Sequence, residues 1–405
     1  MASFAEIRLA LIKDINRLRV QEGYLRAGLP LFPGLFGRDS LIAAWQMLRH
    51  DPGIAKHTLV RLATLQGRKQ DLRREEEPGK ILHEYYEPRQ LHARLILKPR
   101  VTFAWGLPYY GSVDATPLWL IVFGEYVART DDTKLLEKFY PNVVHAAFWL
   151  QDFADSNKDG FIDYKRHSTV GLVSQAWKDS DELGDIIEPV AVVEAQGYAY
   201  AAWQAVSRLA MLQNDRTLSE SALRAADDLR NRFLSAFLMP DNFFAYALNG
   251  DGAQVAWRTS NPGHLLFSGI LDIAAADAIV QRLFADDFWT PYGIRTLSTR
   301  EPGFDWQSYH KGAVWPHDNW VVWCGLKRLG RYKEANRIRD ALIAAWEQFG
   351  GKLPELYGVS SKGDLSLEIY VNKRTKLQRP NPLQAWASGA LFSMLEEEHQ
   401  HSSIL

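Results

Sequence analysis

An all-α (α/α)6 barrel with its long loops gathered on one face is the architecture predicted for this 405-residue chain. Three observations predict it. Apolar residues recur at helical spacing along nearly the whole sequence, giving about twelve helices. From the second helix on, short polar turns alternate with long irregular segments over 67–114, 155–189, 238–261, 285–315 and 350–382. Connections of that length are uncommon in compact domains and usually carry function. If the helices pair around a ring, this alternation brings every long segment to the same face. There is no fixed-period repeat of the kind a solenoid needs. No Pro/Gly/Ser-rich linker separates two cores, so residues 1–405 read as one barrel.

The first helix covers about 3–20, with Phe4, Ile7, Leu11, Ile15 and Leu18 on one face. Helices over about 39–49 and 52–66 flank the turn His50-Asp51-Pro52-Gly53, and those over 115–128 and 132–154 flank Arg129-Thr130-Asp131. Pro141 should kink the latter, since proline lacks the N–H and crowds the carbonyl four residues back. Helices over 190–212 and 216–237 follow, then a short one over 262–269 and another over 271–284. The last three cover 316–329, 331–349 (set off by Gly330) and 383–397.

The chain is 47% hydrophobic, enough for a large core, and 12% aromatic, with 14 Trp and 16 Tyr suited to binding rings. Forty-seven basic against 48 acidic residues leave a net charge of -1, which argues against a nucleic-acid or membrane partner. A lone cysteine, Cys324, excludes an internal disulfide and reads as a buried, inert thiol. The N-terminal stretch has the charge spacing of an amphipathic helix rather than a signal peptide. No uncharged apolar run is long enough to cross a bilayer, and a soluble cytoplasmic protein is expected.

The long segments hold polar and aromatic residues that a connector does not require. Gln175-Ala176-Trp177-Lys178-Asp179-Ser180 places a flat ring beside a titratable pair: Trp177 is a candidate platform for a sugar ring, Asp179 a candidate proton donor. Phe36-Gly37-Arg38-Asp39-Ser40 opens the second helix; Asp39 reads either as its N-cap or, with Arg38, as a donor–acceptor grip on neighbouring sugar hydroxyls. Tyr110 lies in Pro108-Tyr109-Tyr110-Gly111-Ser112-Val113-Asp114, where Asp114 again suits a cap. Glu194 and Gln196 interrupt an apolar helix and are costly if buried unpaired, so they are expected to face a polar cavity. His310, Trp315 and His317 belong to the stretch Tyr309 to Asn319 that leads into the tenth helix. The two histidines lack a third partner at metal-ligand spacing, so no metal is assigned, and no cofactor is called for. Leu353-Pro354-Glu355-Leu356-Tyr357 frames a carboxylate with apolar residues, which raises its pKa or demands a partner. Asp155 to Asp163 imitates a calcium loop up to its ninth position, but Arg166 stands where the bidentate Glu belongs, and an Asx-rich turn is expected. The charged stretch Arg68 to Lys80 reads as a solvated loop.

Seven ordered motifs together resemble a known group. They are Phe36 to Ser40, Tyr109 to Pro117, Gln175 to Ser180, Glu194 to Tyr198, Ser308 to Asn319, Leu353 to Leu356 and Leu383 to Ala387. They are similar to the catalytic domain of amylo-α-1,6-glucosidases of the glycogen-debranching type and, more distantly, to glucoamylases, trehalases and processing α-glucosidase I. The resemblance implies the (α/α)6 barrel and hydrolysis of α-glycosides with inversion. It makes Asp179 the general acid, Glu355 the general base, and Arg38 with Asp39 the grip on the terminal sugar. Only about 30 residues precede the Arg38 motif, and the cysteines usual near Glu355 and Trp386 are absent. In this the chain looks like the small hydrolases of glycosylglycerates and other short α-glycosides. The expected function is an inverting α-glycosidase, by default an α-glucosidase acting on a small carbohydrate. Trp177, Trp315, Lys178, Glu194, Gln196, Tyr110, His310 and His317 are its candidate substrate contacts. A sugar 2-epimerase using His310 and His317, or a non-catalytic sugar-binding barrel, remains the alternative.

Overall fold

The computed structural model describes residues 2–87, 106–180, 186–370 and 377–402. Among them are eleven α-helices: α1 (Phe4–Leu18), α2 (Gly37–Gln46), α3 (Pro52–Thr64), α4 (Ala115–Thr130), α5 (Thr133–Asp152), α6 (Val193–Leu212), α7 (Arg216–Phe237), α8 (Ile273–Leu283), α9 (Pro316–Arg328), α10 (Tyr332–Gln348) and α11 (Ala385–Ser402). The strands are two-residue pairings. The helix predicted over 262–269 is instead a 3₁₀ turn, Asn261–Leu265, opened by Pro262. Glycine is needed there for close packing: a Cβ on Gly263 would lie 2.7 Å from Val322 and 2.8 Å from Leu283. α5 is continuous through Pro141.

Two kinds of helix alternate. α1 buries only Ile7, Leu11, Ile15 and Leu18, one stripe at helical spacing, and is opened by a capping box between Ser3 and Glu6. α7 likewise buries a stripe from Ser219 through Ala226 to Phe237. By contrast α4 is buried from Ala115 through Gly124 without a break, and α6 nearly so from Val193 to Ala210. A helix apolar all round belongs inside a core. The contacts agree: α2 packs on α4, α4 on α6, α6 on the 3₁₀ turn, that turn on α9, α9 on α11, and α11 back on α2. Around this cycle α3 lies against α2 and α4, α5 against α4 and α6, α7 against α6, α8 against the 3₁₀ turn, α10 against α9 and α11, and α1 against α11. The molecule is thus helix-rich in a manner consistent with an α-helical barrel.

The long segments run from an outer helix to the start of the next inner one, and short extended pairs join them. Gly28–Leu29 pairs antiparallel with Leu383–Gln384, Leu35–Phe36 with Glu84–Tyr85, and Ala191–Val192 with Ala247–Leu248. Val314 bridges both Arg295 and Tyr357.

Two local expectations change. The stretch Arg68 to Lys80 is not simply solvated: Glu75, Glu76 and Lys80 are buried. Glu75 Oε1 accepts from the backbone amides of His167 and Ser168 at 2.9 and 2.7 Å, tying one long segment to another. Cys324 is half-buried rather than enclosed. The Asp155 to Asp163 loop is the expected Asx-rich turn. Its carboxylates accept backbone amides, Gly160 to Asp155 at 2.8 Å, Phe161 to Asp159 at 2.9 Å and Ser156 to Asp163 at 2.9 Å. No described helix is long and apolar enough to cross a membrane.

Candidate active site

Several of the motifs sit where a long segment turns into an inner helix, while Asp179 and Glu355 lie within the long segments themselves. Arg38 and Asp39 occupy the first turn of α2, Asp114 precedes α4, Glu194 opens α6, His264 lies in the 3₁₀ turn, His317 and Asp318 open α9, and Trp386 opens α11. Helix starts carry partial positive charge and free N–H groups, so carboxylates gather there at reduced cost. Gly37 makes the turn into α2 possible, because a Cβ there would lie 2.1 Å from the Leu82 carbonyl oxygen.

Arg38 is the hub. Its guanidinium is 2% exposed and donates from Nε to Asp114 Oδ2 at 2.8 Å and from Nη1 to Asp179 Oδ2 at 3.3 Å and to the Trp177 carbonyl at 3.4 Å. Nη2 has no hydrogen bond within the described protein. Asp114 occupies the N-cap position of α4 without capping it; its oxygens take Arg38 and, at 2.6 Å, the Ser112 hydroxyl. Asp39 is not a cap either. Phe36 holds that position, and Asp39 Oδ1 accepts from Gln384 Nε2 at 3.1 Å.

The carboxyls differ in setting. Asp179 keeps 30% of its side chain exposed, yet desolvation pushes its pKa up, with Arg38 pulling the other way. Asp39 is pushed up to about 7, by burial first and then by the charges of Asp179 and Glu355, against the pull of Arg38. Both carboxylates are therefore within electrostatic reach of Asp39, which places the three in one site. The apolar frame of Glu355 did need partners: Oε1 accepts from the Tyr309 hydroxyl at 2.6 Å and Oε2 from the Asn381 backbone amide at 3.0 Å. Burial and the neighbouring carboxylates keep Tyr309 protonated well above its ordinary range, so it is a lasting donor. One carboxyl pushed toward its protonated form and another held by two donors suit acid and base work respectively.

Behind these groups lies an aromatic box. Trp177 stacks on His264 at 5.8 Å between centroids and meets His310, Trp315 and His317 edge-on. Trp315 stacks on His310 at 5.2 Å, and His317 on Trp386 at 3.7 Å. Trp177 and Trp315 are each 2% exposed, so the rings tile one another instead of forming the open platforms expected. Burial, reinforced by Lys178 and Arg38, keeps His310 and His317 neutral. His310 Nδ1 lies 2.7 Å from the Ser180 hydroxyl, beside Asp179.

Other expected contacts lie elsewhere. Gln196 does not face a polar cavity; it clamps the Asx-rich loop to α6, donating to the Ile162 and Val192 carbonyls at 2.7 and 3.0 Å and accepting from the Ile162 amide at 3.0 Å. The Tyr110 hydroxyl donates to the Leu65 carbonyl at 2.7 Å. Glu194 and Lys178 are both fully enclosed. Desolvation lifts the Glu194 pKa, with the nearby His264 pulling the other way. The roles of Tyr309, Gln384, the Asn381 amide and the His264–Asp318 pair (2.7 Å) were not anticipated. Tyr309 and Gln384 sit inside motifs quoted above, but their partners lie 46 and 345 residues away. Among the described residues no group of three or more His, Cys, Asp or Glu is arranged to hold a metal.

This helical fold, with carboxyls gathered at its inner helix starts, is the architecture of a known domain class. The chain belongs to the mannosylglycerate hydrolase MGH1-like glycoside hydrolase domain family, whose model matches residues 33–357. It is 38% identical over 79 residues to mannosylglycerate hydrolases MGH1 and MGH2 of Selaginella moellendorffii, a match covering 19% of this chain and 16% of theirs. The fold is shared with the GH63 mannosylglycerate hydrolase of Thermus thermophilus, solved with Tris and D-glycerate. That structure has a TM-score of 0.70 at 16% identity and covers 96% of this chain and 100% of the other. The same enzyme solved with glucose gives 0.68 at 17% identity, over 95% and 99% of the two chains. The family gives no support to the sugar epimerase.

Proposed function

We propose that this chain is an inverting hydrolase of short α-glycosides of glycerate, on an (α/α)6 barrel, with Asp179 as general acid and Glu355 as general base. The observation that carries the reading is the unequal holding of the two carboxyls: Asp179 is driven toward its protonated form, whereas Glu355 accepts from Tyr309 and Asn381. In this reading Asp179 gives its proton to the glycosidic oxygen as the bond to the anomeric carbon breaks. Glu355 takes a proton from water attacking the opposite ring face. Inversion by this route asks for carboxyls about 6.5–9.5 Å apart. Arg38 and Asp39 grip the hydroxyls of the terminal sugar, and His310, neutral and next to Ser180, offers a further hydroxyl contact. Family membership favours a glycosylglycerate over the default α-glucoside, and true debranching of glycogen is set aside.

Sugar release from α-mannosylglycerate, α-glucosylglycerate, short α-glucosides and glycogen tests the substrate. Activity on neither glycosylglycerate, with activity on maltose or glycogen, overturns the glycerate assignment. Proton NMR in the first minutes tests the mechanism: the β-anomer must appear first. An initial α-anomer requires a covalent intermediate and a carboxyl pair about 5–5.5 Å apart.

A further inference from the structure

Lys178 precedes the candidate acid in sequence and is fully enclosed. An ammonium without solvent is costly unless its surroundings answer it. Here Nζ donates to the Thr296 carbonyl at 2.7 Å and sits 5.1 Å from the centroid of the Trp177 ring. Desolvation draws its pKa down to about 8, against the opposing pull of the Asp318 and Glu194 carboxyls on α9 and α6. Thr296 is itself fixed, its amide and hydroxyl donating to the Ala313 carbonyl at 3.1 and 3.0 Å and its hydroxyl accepting from the Gly312 amide at 3.0 Å. The Lys178 carbonyl accepts from the Ser174 hydroxyl at 2.8 Å. One residue is therefore held at both its side chain and its backbone, and the next residue is Asp179.

The charges weighing most on Asp179 are Arg38 and Asp114. What Lys178 supplies to Asp179 is therefore placement. We infer that Lys178 is a positioning residue for the general acid, its ammonium anchoring the 174–180 segment to the Thr296 carbonyl so that Asp179 meets the leaving oxygen. This rests on the acid assignment above. It explains why a lysine, rather than an apolar residue of similar length, stands in an enclosed place: an apolar stem fills the space but cannot bond the carbonyl.

The test compares an α-glycosylglycerate, whose leaving group needs a proton, with the α-glycosyl fluoride of the same sugar, whose leaving group does not. Lys178→Met, Lys178→Arg and Asp179→Asn are measured on both, with Tm confirming the folded state. A misplacement near 1 Å costs up to about 100-fold, so Lys178→Met should lose about 10–100-fold on the glycoside and under about 3-fold on the fluoride. The pattern should match that of Asp179→Asn at smaller size. If Lys178→Met does not fold, Lys178→Arg carries the test, because its fork cannot reproduce the single short bond, and the same selective loss is expected. Equal losses on both substrates, or none, overturn the positioning role provided Asp179→Asn is selective. If Asp179→Asn is itself unselective, the acid assignment has failed instead.

Discussion

The ion pair of Arg38 and Asp114 is among the most enclosed of the site, with side chains 2% and 1% exposed and Nε 2.8 Å from Oδ2. Arg38→Met keeps an apolar stem and removes the guanidinium, leaving Asp114 desolvated with the Ser112 hydroxyl. Breaking a buried pair from one side costs about 3–5 kcal/mol. With an unfolding entropy near 2.1 cal/mol/K per residue, the chain gives roughly 0.85 kcal/mol/K, so Tm should fall by about 4–6 °C. Asp114→Asn should also destabilise, because Arg38 then meets a neutral carboxamide and keeps only Asp179 as a hydrogen-bonded carboxylate. The double variant removes both charges, and its loss should fall short of the sum of the singles by about 1–3 kcal/mol. Calorimetry on the four proteins reads this directly. Losses that add to within about 0.5 kcal/mol would refute the coupling and assign the effect of Arg38 to the packing of its stem.

Asp179→Asn should lose most activity on glycosides and much less on a glycosyl fluoride, as kcat/KM on the two substrates reports. Tyr309→Phe removes a donor from a buried carboxylate, worth about 1.5–3 kcal/mol, so kcat/KM should fall by about 10–150-fold with Tm lower by about 2–4 °C; unchanged kinetics would separate Tyr309 from the base. Asp39 keeps its proton up to about 7 in the folded protein, against ~3.9 when unfolded. Its share of stability is therefore complete below pH ~4 and is lost as pH rises to about 7. Asp39→Asn, neutral throughout, should be inactive yet more stable near pH 7.5 by on the order of 2–4 kcal/mol. Urea denaturation should show that gain vanishing at pH 4.

The alternation of short and long connections was legible because it depends only on helical periodicity and turn residues, and each predicted long segment falls between an outer helix and an inner start. Arg38, Asp39, Asp179 and Glu355 could be singled out because charged residues in apolar surroundings are conspicuous in one dimension. Their partners were not legible. Glu355 depends on a backbone amide at Asn381, which has no sequence signature, and Asp39 on a carboxamide that lies just before the last helix. Gln196 shows the converse: a polar side chain in an apolar helix is as well explained by a distant backbone as by a cavity, and periodicity does not tell the two apart. The same holds for Trp177, whose ring faces other rings brought together only by folding.

The antiparallel pair between Gly28–Leu29 and Leu383–Gln384 bears on the order in which the protein is made. The grip on Asp39 comes from Gln384, which leaves the ribosome 345 residues later. The amide that steadies Glu355 comes from Asn381, another late arrival. A nascent chain can wind its early helices, but Asp39 lacks Gln384 and Glu355 lacks the Asn381 amide until the segment leading into α11 docks. Translation therefore leaves these two contacts unmade until that segment has emerged.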